Sequence, residues 1–373
     1  MNRLVWLFEY PSLHGGERSL LVTLAAVRAA GFDVAALAPP QGPLAEALRS
    51  EGVEPVPFVA VGDDGRRLPP PRLREELARL LRSLQPGLLH ANSLAMGRLS
   101  GPVAAEAGLA SLAHLRDIVG LSRQGIADLA RHDRLLAVSR ATRDFHVAAG
   151  LDAGRTHVLY NGVDLERFRP RTPAGFLHRE LHLPPAARLA ATIGQIGLRK
   201  GQDVLLAAAR PLAAEVADVH FLIVGGRWSQ KDEALAFERA LHRAAGGPLA
   251  GRVHWLGVRD DLPKLLAELT LLVHPARQEP LGRVLLEAAA SAVAVVATAV
   301  GGTPEIFPPA ARAARLVPCD DPPALAGAVR ELLADPAART RLGRAARCRV
   351  AAAFSADAAA ADLVRHYREV LGG

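Results

Sequence analysis

The sequence predicts an α/β fold made of two doubly wound parallel sheets. Apolar, strand-like runs alternate with helical segments of roughly ten or more residues, the pattern of parallel sheets. This alternation breaks once, around residues 165–188, where prolines and arginines follow no clear period. A chain of 373 residues is also longer than one ordinary hydrophobic core accommodates. We therefore expect an N-terminal domain over residues 1–170 and a C-terminal domain over residues 186–354.

The N-terminal half begins with an apolar strand at residues 3–10 and a helix at residues 15–30. Gly31 lies at the end of that helix, where a left-handed cap is common. The other elements predicted in this half are strands at 32–39, 53–59, 87–92, 111–116 and 134–139, and helices at 44–52, 71–86 and 94–108.

The C-terminal half repeats the alternation. Its predicted strands are 189–197, 219–226, 252–258, 271–276 and 293–300, and its predicted helices are 201–212, 231–245, 261–269, 283–292, 322–335 and 336–353. Ser355 is a good N-cap for a last helix. We expect residues 355–373 to cross back to the N-terminal domain.

The net charge of +7 is carried almost entirely by arginine, because Lys200, Lys231 and Lys264 are the only lysines. Such a charge suits nucleic acid, an anionic membrane or an anionic small substrate, and plain compositional bias is the alternative. No basic run is interleaved with aromatic residues, which argues against nucleic acid. The arginine-rich helix 71–85 could touch anionic lipid, although a solvated helix face is the simpler explanation.

The sequence contains neither a bilayer-spanning apolar run nor a signal-peptide pattern. Its two cysteines, Cys319 and Cys348, form no disulfide framework or metal cluster. We expect a cytoplasmic protein, peripheral at the inner membrane face if it meets lipid. The pairs Asp63–Asp64, Asp260–Asp261 and Asp320–Asp321 are not spaced to clamp a metal–diphosphate, so no metal is expected.

Polar motifs follow several predicted strands, and the carboxyl ends of strands are where such sheets bind ligands. After the first strand, Gly15 and Gly16 permit close approach of the backbone to a ligand, although a tight turn also needs glycine. Between the strand at 189–197 and the next helix, Arg199 and Lys200 precede Gly201. Two cations at a helix start oppose the helix dipole, which indicates a phosphate site, with solvated side chains as the alternative.

The most informative stretch is "EPLGRVLLE", residues 279–287. Gly282 permits a close turn, and the N–H groups of Arg283, Val284 and Leu285 at the helix start can receive a diphosphate. Glu287 lies in an otherwise apolar helix, where a carboxylate needs partners. Carboxylates only accept hydrogen bonds, so Glu279 and Glu287 suit the hydroxyls of a sugar. The later "AVGGTPEIF" stretch is explained by a well-formed helix start alone.

These motifs, together with "GQIGLRKGQDVLL", "WLGVRDDLPKLLAELTLLVHPA" and "VLYNGVDLERFRP", resemble the retaining GT-B glycosyltransferases of family 4 over nearly the whole chain. The resemblance implies two facing Rossmann-like domains with an interdomain cleft. It implies transfer of a sugar from a nucleoside diphosphate, UDP or GDP, without a metal or other cofactor. The implied acceptor is a glycan, a lipid-linked molecule or a small molecule.

The resemblance also implies roles for individual residues. Glu287 would bind the donor ribose and Glu279 the transferred sugar, helped by the backbone of Leu281 and Gly282. Arg199, Lys200 and the amides of Val284 and Leu285 would bind the diphosphate. The remaining expected contacts are Val258 and Arg259 at the base, Gln195 at the phosphates, Gly15 and Gly16 at the phosphates or acceptor, and His90, Asn92 and Arg116 at the sugar or acceptor.

The chain departs from the family pattern at two of these positions. Gln195 stands where an arginine is usual, and Asn92 stands where a histidine is usual. Two alternatives remain beside the transferase: a nucleotide-sugar-binding protein, and an epimerase or phosphorylase with the same fold.

Overall fold

The computed structural model describes residues 2–62 and 65–372. Asp63 and Asp64, considered above, lie outside these ranges. The chain forms two compact units: Met1–Gly162 with Ala356–Gly373, and Val163–Ser355.

The first unit contains a seven-stranded sheet in which all neighbouring strands are parallel. Its strands are β1 (Asn2–Leu7), β2 (Phe32–Ala38), β3 (Pro55–Pro57), β4 (Leu88–Ala91), β5 (Ser111–Leu115), β6 (Arg134–Ala137) and β7 (Thr156–Val158). The strand order is β3-β2-β1-β4-β5-β6-β7. The chain therefore changes direction across the sheet between β1 and β4.

Helices flank this sheet: α1 (Gly15–Leu21), α2 (Leu24–Ala29), α3 (Pro43–Ser50), α4 (Pro70–Leu84), α5 (Leu94–Glu106), α6 (Arg123–Leu129) and α7 (Arg140–Ala148). Serine side chains fix where three of them begin. The hydroxyls of Ser93, Ser122 and Ser139 accept from the N–H groups three residues further on, which are otherwise unpaired at a helix start.

The second unit contains a six-stranded parallel sheet of order β10-β9-β8-β11-β12-β13. Its strands are β8 (Arg188–Ile193), β9 (Val219–Val224), β10 (Val253–Gly257), β11 (Leu271–His274), β12 (Val295–Thr298) and β13 (Arg315–Val317). The direction of winding changes between β8 and β11, which lie side by side. Such a switch point opens a crevice at the carboxyl ends of the strands.

The helices of the second unit are α8 (Phe176–Glu180), α9 (Gln202–Glu215), α10 (Asp232–Ala244), α11 (Leu262–Glu268), α12 (Arg283–Ala290), α13 (Thr303–Ile306), α14 (Pro322–Ala334) and α15 (Pro336–Ala353). Aspartates cap α14 and α15. The carboxylates of Asp321 and Asp335 accept from Ala324 N and Ala338 N at 2.9 and 2.8 Å.

The last helix, α16 (Ala356–Leu371), belongs to the first unit. Its buried residues Leu363, Val364 and Tyr367 join the apolar cluster that contains Leu4 and Trp6 of β1. The two ends of the chain thus share one hydrophobic core.

The predicted fold class, two doubly wound parallel sheets, is confirmed. The predicted single helix at 15–30 is wrong. It is divided at Val22 and Thr23, where the Thr23 N–H and hydroxyl both donate to Leu20 O, at 3.0 and 2.6 Å. The short elements α6, α7, α8, β7 and β13 were not predicted, because they span too few residues to show a clear period. Among the described residues, no helix combines the length and apolar character needed to cross a bilayer.

Candidate functional site

The candidate site of the second unit lies at the carboxyl ends of β8 and β11, at the switch point of its sheet. The segment after β8 carries Arg199 and Lys200, and the segment after β11 carries Glu279 and leads into α12. Because parallel neighbours end at one edge of the sheet, charges 79 residues apart in sequence meet there.

Glu279 is the centre of this site. Its Oε2 atom accepts from Lys200 Nζ at 2.5 Å and contacts His274 Nε2 at 2.7 Å. Only 5% of its side chain is exposed. Burial alone would raise the pKa of this carboxyl, but the neighbouring Lys200 charge and the contact with His274 more than offset it. The pKa of Glu279 therefore lies well below its ordinary value, and Glu279 is ionised.

Glycines allow the loops to come this close. Gly201, directly after Lys200, has φ +68° and lies so near β11 that a Cβ atom would be 1.9 Å from Pro275 O. Gly301 has φ +53°, and a Cβ atom there would be 2.0 Å from Glu279 O. The Gly302 N–H donates to the same oxygen at 2.9 Å. The "AVGGTPEIF" loop therefore supports Glu279, a role that the sequence reasoning did not assign to it.

Arg277 holds the cationic loop against the end of β11. Its N–H donates to Arg199 O at 2.8 Å, and its guanidinium donates to Leu198 O and to both carboxylate oxygens of Asp203. Arg199 itself is half-buried. Burial lowers the pKa of His274, and the charges of Lys200 and then Arg199 lower it further.

Glu287 is buried within α12, and its Oε1 atom accepts from Arg283 Nη2 at 3.0 Å. This pair satisfies the requirement that a carboxylate in an apolar helix has a partner. Gly282 precedes the helix, and a Cβ atom there would be 2.9 Å from Leu285 Cδ1 and 3.3 Å from Glu279 Cδ. No larger residue fits between the helix start and Glu279 without displacing one of them.

One backbone N–H group that was predicted to bind the diphosphate is already hydrogen-bonded within the protein. The Leu285 N–H donates to Gly282 O at 3.0 Å, in the tight first turn of α12, so the expectation of an unpaired Leu285 amide is wrong. Leu281 is buried and Val284 is half-buried. The structure thus brings Lys200, Glu279 and the helix start together.

The predicted base contacts lie at the ends of other strands. Val258, after β10, is 60% exposed. The Arg259 guanidinium is held by Glu180 and Asp261, each at 2.7 Å, and these carboxylates raise its pKa. Gln195, which was predicted at the phosphates and not at the base, follows β8, and its carbonyl accepts from Gln202 Nε2 at 2.9 Å. Val258 is therefore the accessible side chain of its pair, whereas Arg259 is engaged within the protein.

The remaining predicted residues lie in the first unit, after β1, β4 and β5. Arg116 donates to both Asn92 oxygens, and a Cβ atom on Gly16 would be 3.0 Å from Arg116 Cδ. Gly15, beside it, is exposed at the start of α1. His90 is fully buried, and its two ring nitrogens contact Tyr367 and His114. The expectation that His90 contacts a ligand is corrected: this side chain has an internal role.

Sequence reasoning missed three functional candidates: His274, Arg277 and Arg283. The sequence alone explains His274 equally well as a core residue of a strand, although its position at the last residue of that strand, five residues before Glu279, is a usable signal. Arg283 lies one helical turn before Glu287, the spacing of an intrahelical ion pair. The sequence gives no sign of a role for Arg277, because its partners Leu198 and Asp203 lie 79 and 74 residues away along the chain.

The architecture of the two units defines a class of protein. The Anabaena protein HepE, solved in complex with UDP-glucose, superposes with a TM-score of 0.85, at 20% identity over 99% of this chain and 100% of that chain. Two Rossmann-like parallel-sheet domains of this kind are the GT-B architecture of glycosyltransferases.

Two family models cover most of the chain: "Glycosyltransferase Family 4" matches residues 13–167 and "Glycosyl transferases group 1" matches residues 187–335. The chain belongs to glycosyltransferase family 4. It is 34% identical over 249 residues to the α-maltose-1-phosphate synthase of Mycobacterium tuberculosis, covering 63% of each protein. It is 34% identical over 258 residues to the D-inositol 3-phosphate glycosyltransferase of Salinispora tropica, covering 65% of this chain. These matches span 63% and 52% of the relatives' own lengths.

Proposed function

We propose that this protein transfers a sugar from a nucleoside diphosphate to an acceptor, with retention of anomeric configuration and without a metal ion. One observation carries the proposal: Lys200, Glu279 and the start of α12 meet at the switch point of the second sheet. Membership of glycosyltransferase family 4 supports the same activity. The cation of Lys200, the carboxylate of Glu279 and the start of α12 lie within one small region. A sugar diphosphate requires such groups: cations and helix N–H groups bind its phosphates, and a carboxylate accepts hydrogen bonds from its sugar hydroxyls.

Each group has a role in donor binding. Glu287 accepts hydrogen bonds from the ribose hydroxyls, and Glu279 accepts from the transferred sugar through Oε1, since Oε2 is already bonded to Lys200 and His274. Arg199, Lys200 and the Val284 amide receive the diphosphate. UDP and GDP are the candidate nucleotides, and the solved HepE complex contains UDP-glucose.

Catalysis in this proposal consists of stabilising the departing diphosphate. Breaking the anomeric bond places negative charge on the phosphate oxygens, and fixed cations lower the energy of that state. Removing one such donor typically costs about 3–4 kcal/mol of barrier. Glu279 is not a nucleophile in this scheme: with its pKa well below the ordinary value, it is a weak base. The departing phosphate instead accepts the proton of the acceptor.

Acceptors of several chemical classes are candidates. The two relatives named above are called after a sugar 1-phosphate product and an inositol phosphate substrate, which makes phosphorylated small molecules the first to test. Glycans and lipid-linked molecules are the next acceptors to test. The arginine-rich surface of α4 suits contact with an anionic membrane, where a lipid-linked acceptor would lie.

The test measures free UDP or GDP released from UDP-glucose or GDP-mannose, with D-inositol 3-phosphate or α-D-glucose 1-phosphate as acceptor. We expect Glu287→Gln to abolish donor binding and Lys200→Ala to abolish turnover. Glu331→Gln, on the exposed face of α14, is the matched control and should retain full activity. Full activity in both site variants would refute the site.

Two alternatives predict different results. A nucleotide-sugar-binding protein would bind the donor and release no nucleotide with any acceptor. An epimerase would change the donor sugar without transferring it, and a phosphorylase would show the absorbance of pyridoxal phosphate on a lysine.

A further inference from the structure

Five side chains of the first unit form a continuous series of hydrogen bonds, which runs from Trp6 of β1 through Tyr367 of α16 to Arg116 after β5. Trp6 Nε1 lies 3.0 Å from the Tyr367 hydroxyl, which lies 2.5 Å from His90 Nδ1. His90 Nε2 lies 2.7 Å from His114 Nδ1, and Arg116 Nη2 lies 3.2 Å from the same atom. All of them except Arg116 are buried.

The direction of every bond in this chain follows from its two ends. An indole N–H and a guanidinium N–H can only donate. Because Arg116 can only donate, its guanidinium at 3.2 Å favours the tautomer in which His114 Nδ1 carries no proton. The one lone pair of that nitrogen then accepts from His90 Nε2 at 2.7 Å, and the Arg116 N–H shares it at the longer distance. A neutral His90 then has a bare Nδ1, which accepts the proton of the Tyr367 hydroxyl. The Tyr367 oxygen in turn accepts from Trp6.

This series of hydrogen bonds ends at Arg116, which lies beside Gly16 and binds two asparagines. Arg116 donates through Nε to Asn92 O at 2.9 Å, through Nη2 to Asn92 Oδ1 at 2.7 Å and through Nη1 to Asn161 Oδ1 at 3.0 Å. Because Asn92 Oδ1 accepts from Arg116, its amide nitrogen faces the other way. That nitrogen is buried and has no partner among the described residues, and it lies 3.9 Å from the Cβ position of Gly16.

A buried donor without a partner is costly, and a ligand oxygen would satisfy it. We propose that Tyr367 is a positioning residue for the acceptor site: through His90 and His114 it fixes Arg116 and hence the Asn92 amide, which donates to an oxygen of the acceptor. This inference rests on the proposed transferase function. Tyr367 itself touches no ligand.

The electrostatics agree with this direction. Burial, followed by the Arg116 charge, holds the pKa of both His90 and His114 well below the ordinary value. A proton added to His114 Nδ1 would face the N–H groups of His90 and Arg116. Burial raises the pKa of Tyr367 well above its ordinary value, so its hydroxyl keeps the proton that it donates to His90.

The kinetic test compares Tyr367→Phe with Leu363→Ala. Both change buried side chains of α16, but Leu363 lies outside the chain of hydrogen bonds. We expect Tyr367→Phe to raise the acceptor KM about tenfold, the upper end of the effect of losing one neutral hydrogen bond, and to leave the donor KM unchanged. Leu363→Ala should lower Tm without changing either KM. An acceptor KM that is unchanged in Tyr367→Phe, or equally raised in Leu363→Ala, overturns the proposal.

A double-variant test asks whether Tyr367 acts through Arg116. In an Arg116→Lys background, adding Tyr367→Phe should change the acceptor KM no further, because the group that Tyr367 positions is already gone. The same tenfold increase in both backgrounds would show that Tyr367 acts by another route.

A spectroscopic test does not depend on activity. With ¹⁵N-labelled histidine, His90 and His114 should both appear as neutral rings protonated at Nε2 at pH 7, assigned from His90→Gln and His114→Gln. Tyr367→Phe should shift the His90 Nδ1 signal, because that nitrogen loses its donor, and should shift the Arg116 Nε–H signal. A charged or Nδ1-protonated ring in the wild type, or an Arg116 signal that does not respond, overturns the proposal. If the wild type transfers no sugar, the proposed function fails while this test still decides the role of Tyr367.

Discussion

Replacing Lys200 by methionine removes the charge that holds Glu279 while keeping most of the side-chain volume. In the wild type, Lys200 Nζ lies 2.5 Å from Glu279 Oε2, and the two side chains are 15% and 5% exposed. The variant leaves a buried carboxylate whose remaining partner is the neutral ring of His274.

The expected cost follows from this burial. Breaking a buried ion pair by removing one partner typically destabilises a protein by about 3–5 kcal/mol, because the other charge is left uncompensated. His274 still contacts the carboxylate, so we expect the lower end, about 3 kcal/mol at pH 8.

The loss of stability in Lys200→Met should become smaller as the pH falls. In the wild type the pKa of Glu279 is depressed below its ordinary value of 4.5, so its contribution is complete above that pH and is lost only below it. In the variant, burial dominates and favours a proton on Glu279 or on His274. Native variant protein then binds a proton that native wild type does not. Each pH unit below that new pKa recovers about 1.4 kcal/mol of the difference.

Hydrogen exchange read by mass spectrometry measures this within the second unit. Peptides over β11 and α12 should exchange faster in Lys200→Met than in the wild type at pH 8. After correction for intrinsic exchange rates, this difference between variant and wild type should be smaller at pH 5.5. Arg330→Met breaks an exposed ion pair with Glu215 and should cost less than about 1 kcal/mol at either pH. Adding Glu279→Gln to Lys200→Met should restore part of the loss. If Lys200→Met matches the Arg330 control, or if its effect is independent of pH, the pairing described here is wrong.

Two further outcomes are expected. Gly301→Ala should destabilise the second unit and abolish donor binding, since its Cβ atom would lie 2.0 Å from Glu279 O, whereas Gly327→Ala, with open space around it in α14, should be neutral or stabilising in thermal unfolding and donor titration. Burial lowers the pKa of His132 to about 4 from 6.5, so the unfolded chain binds the proton first on acidification. Stability should therefore fall between pH 7 and 5 by about 2 kcal/mol from this residue, measured as the difference in urea unfolding between wild type and His132→Asn; an equal pH dependence in both would contradict it.

The parts of the candidate site that could be predicted from the sequence are those fixed by local chemistry. A glycine turn between a strand and a helix predicts a close backbone approach, and a carboxylate in an apolar helix predicts a partner, so Gly282 and Glu287 could be singled out from residues 279–287 alone. Nothing local indicates that β8 lies beside β11. The pairing of Lys200 with Glu279 depends on that adjacency, and so does the support that Arg277 gives to the cationic loop.

The same distinction explains why His90 was assigned to the ligand. Its position near the end of β4 is also the position of a ligand contact, and alternation along a strand gives only the face on which a side chain lies. What decides its role is Tyr367, which is 277 residues away and contacts His90 because α16 packs in the same core as β1. Once that contact is known, the chemistry is restrictive. Because Trp6 and Arg116 cannot accept, neutral His90 and His114 carry their protons on Nε2 and the Tyr367 hydroxyl donates to His90. Arg116 in turn donates to Asn92 Oδ1, so the buried Asn92 amide nitrogen faces away from it, without a partner among the described residues. The sequence contains the residues that impose this arrangement, but only the three-dimensional fold brings them into contact.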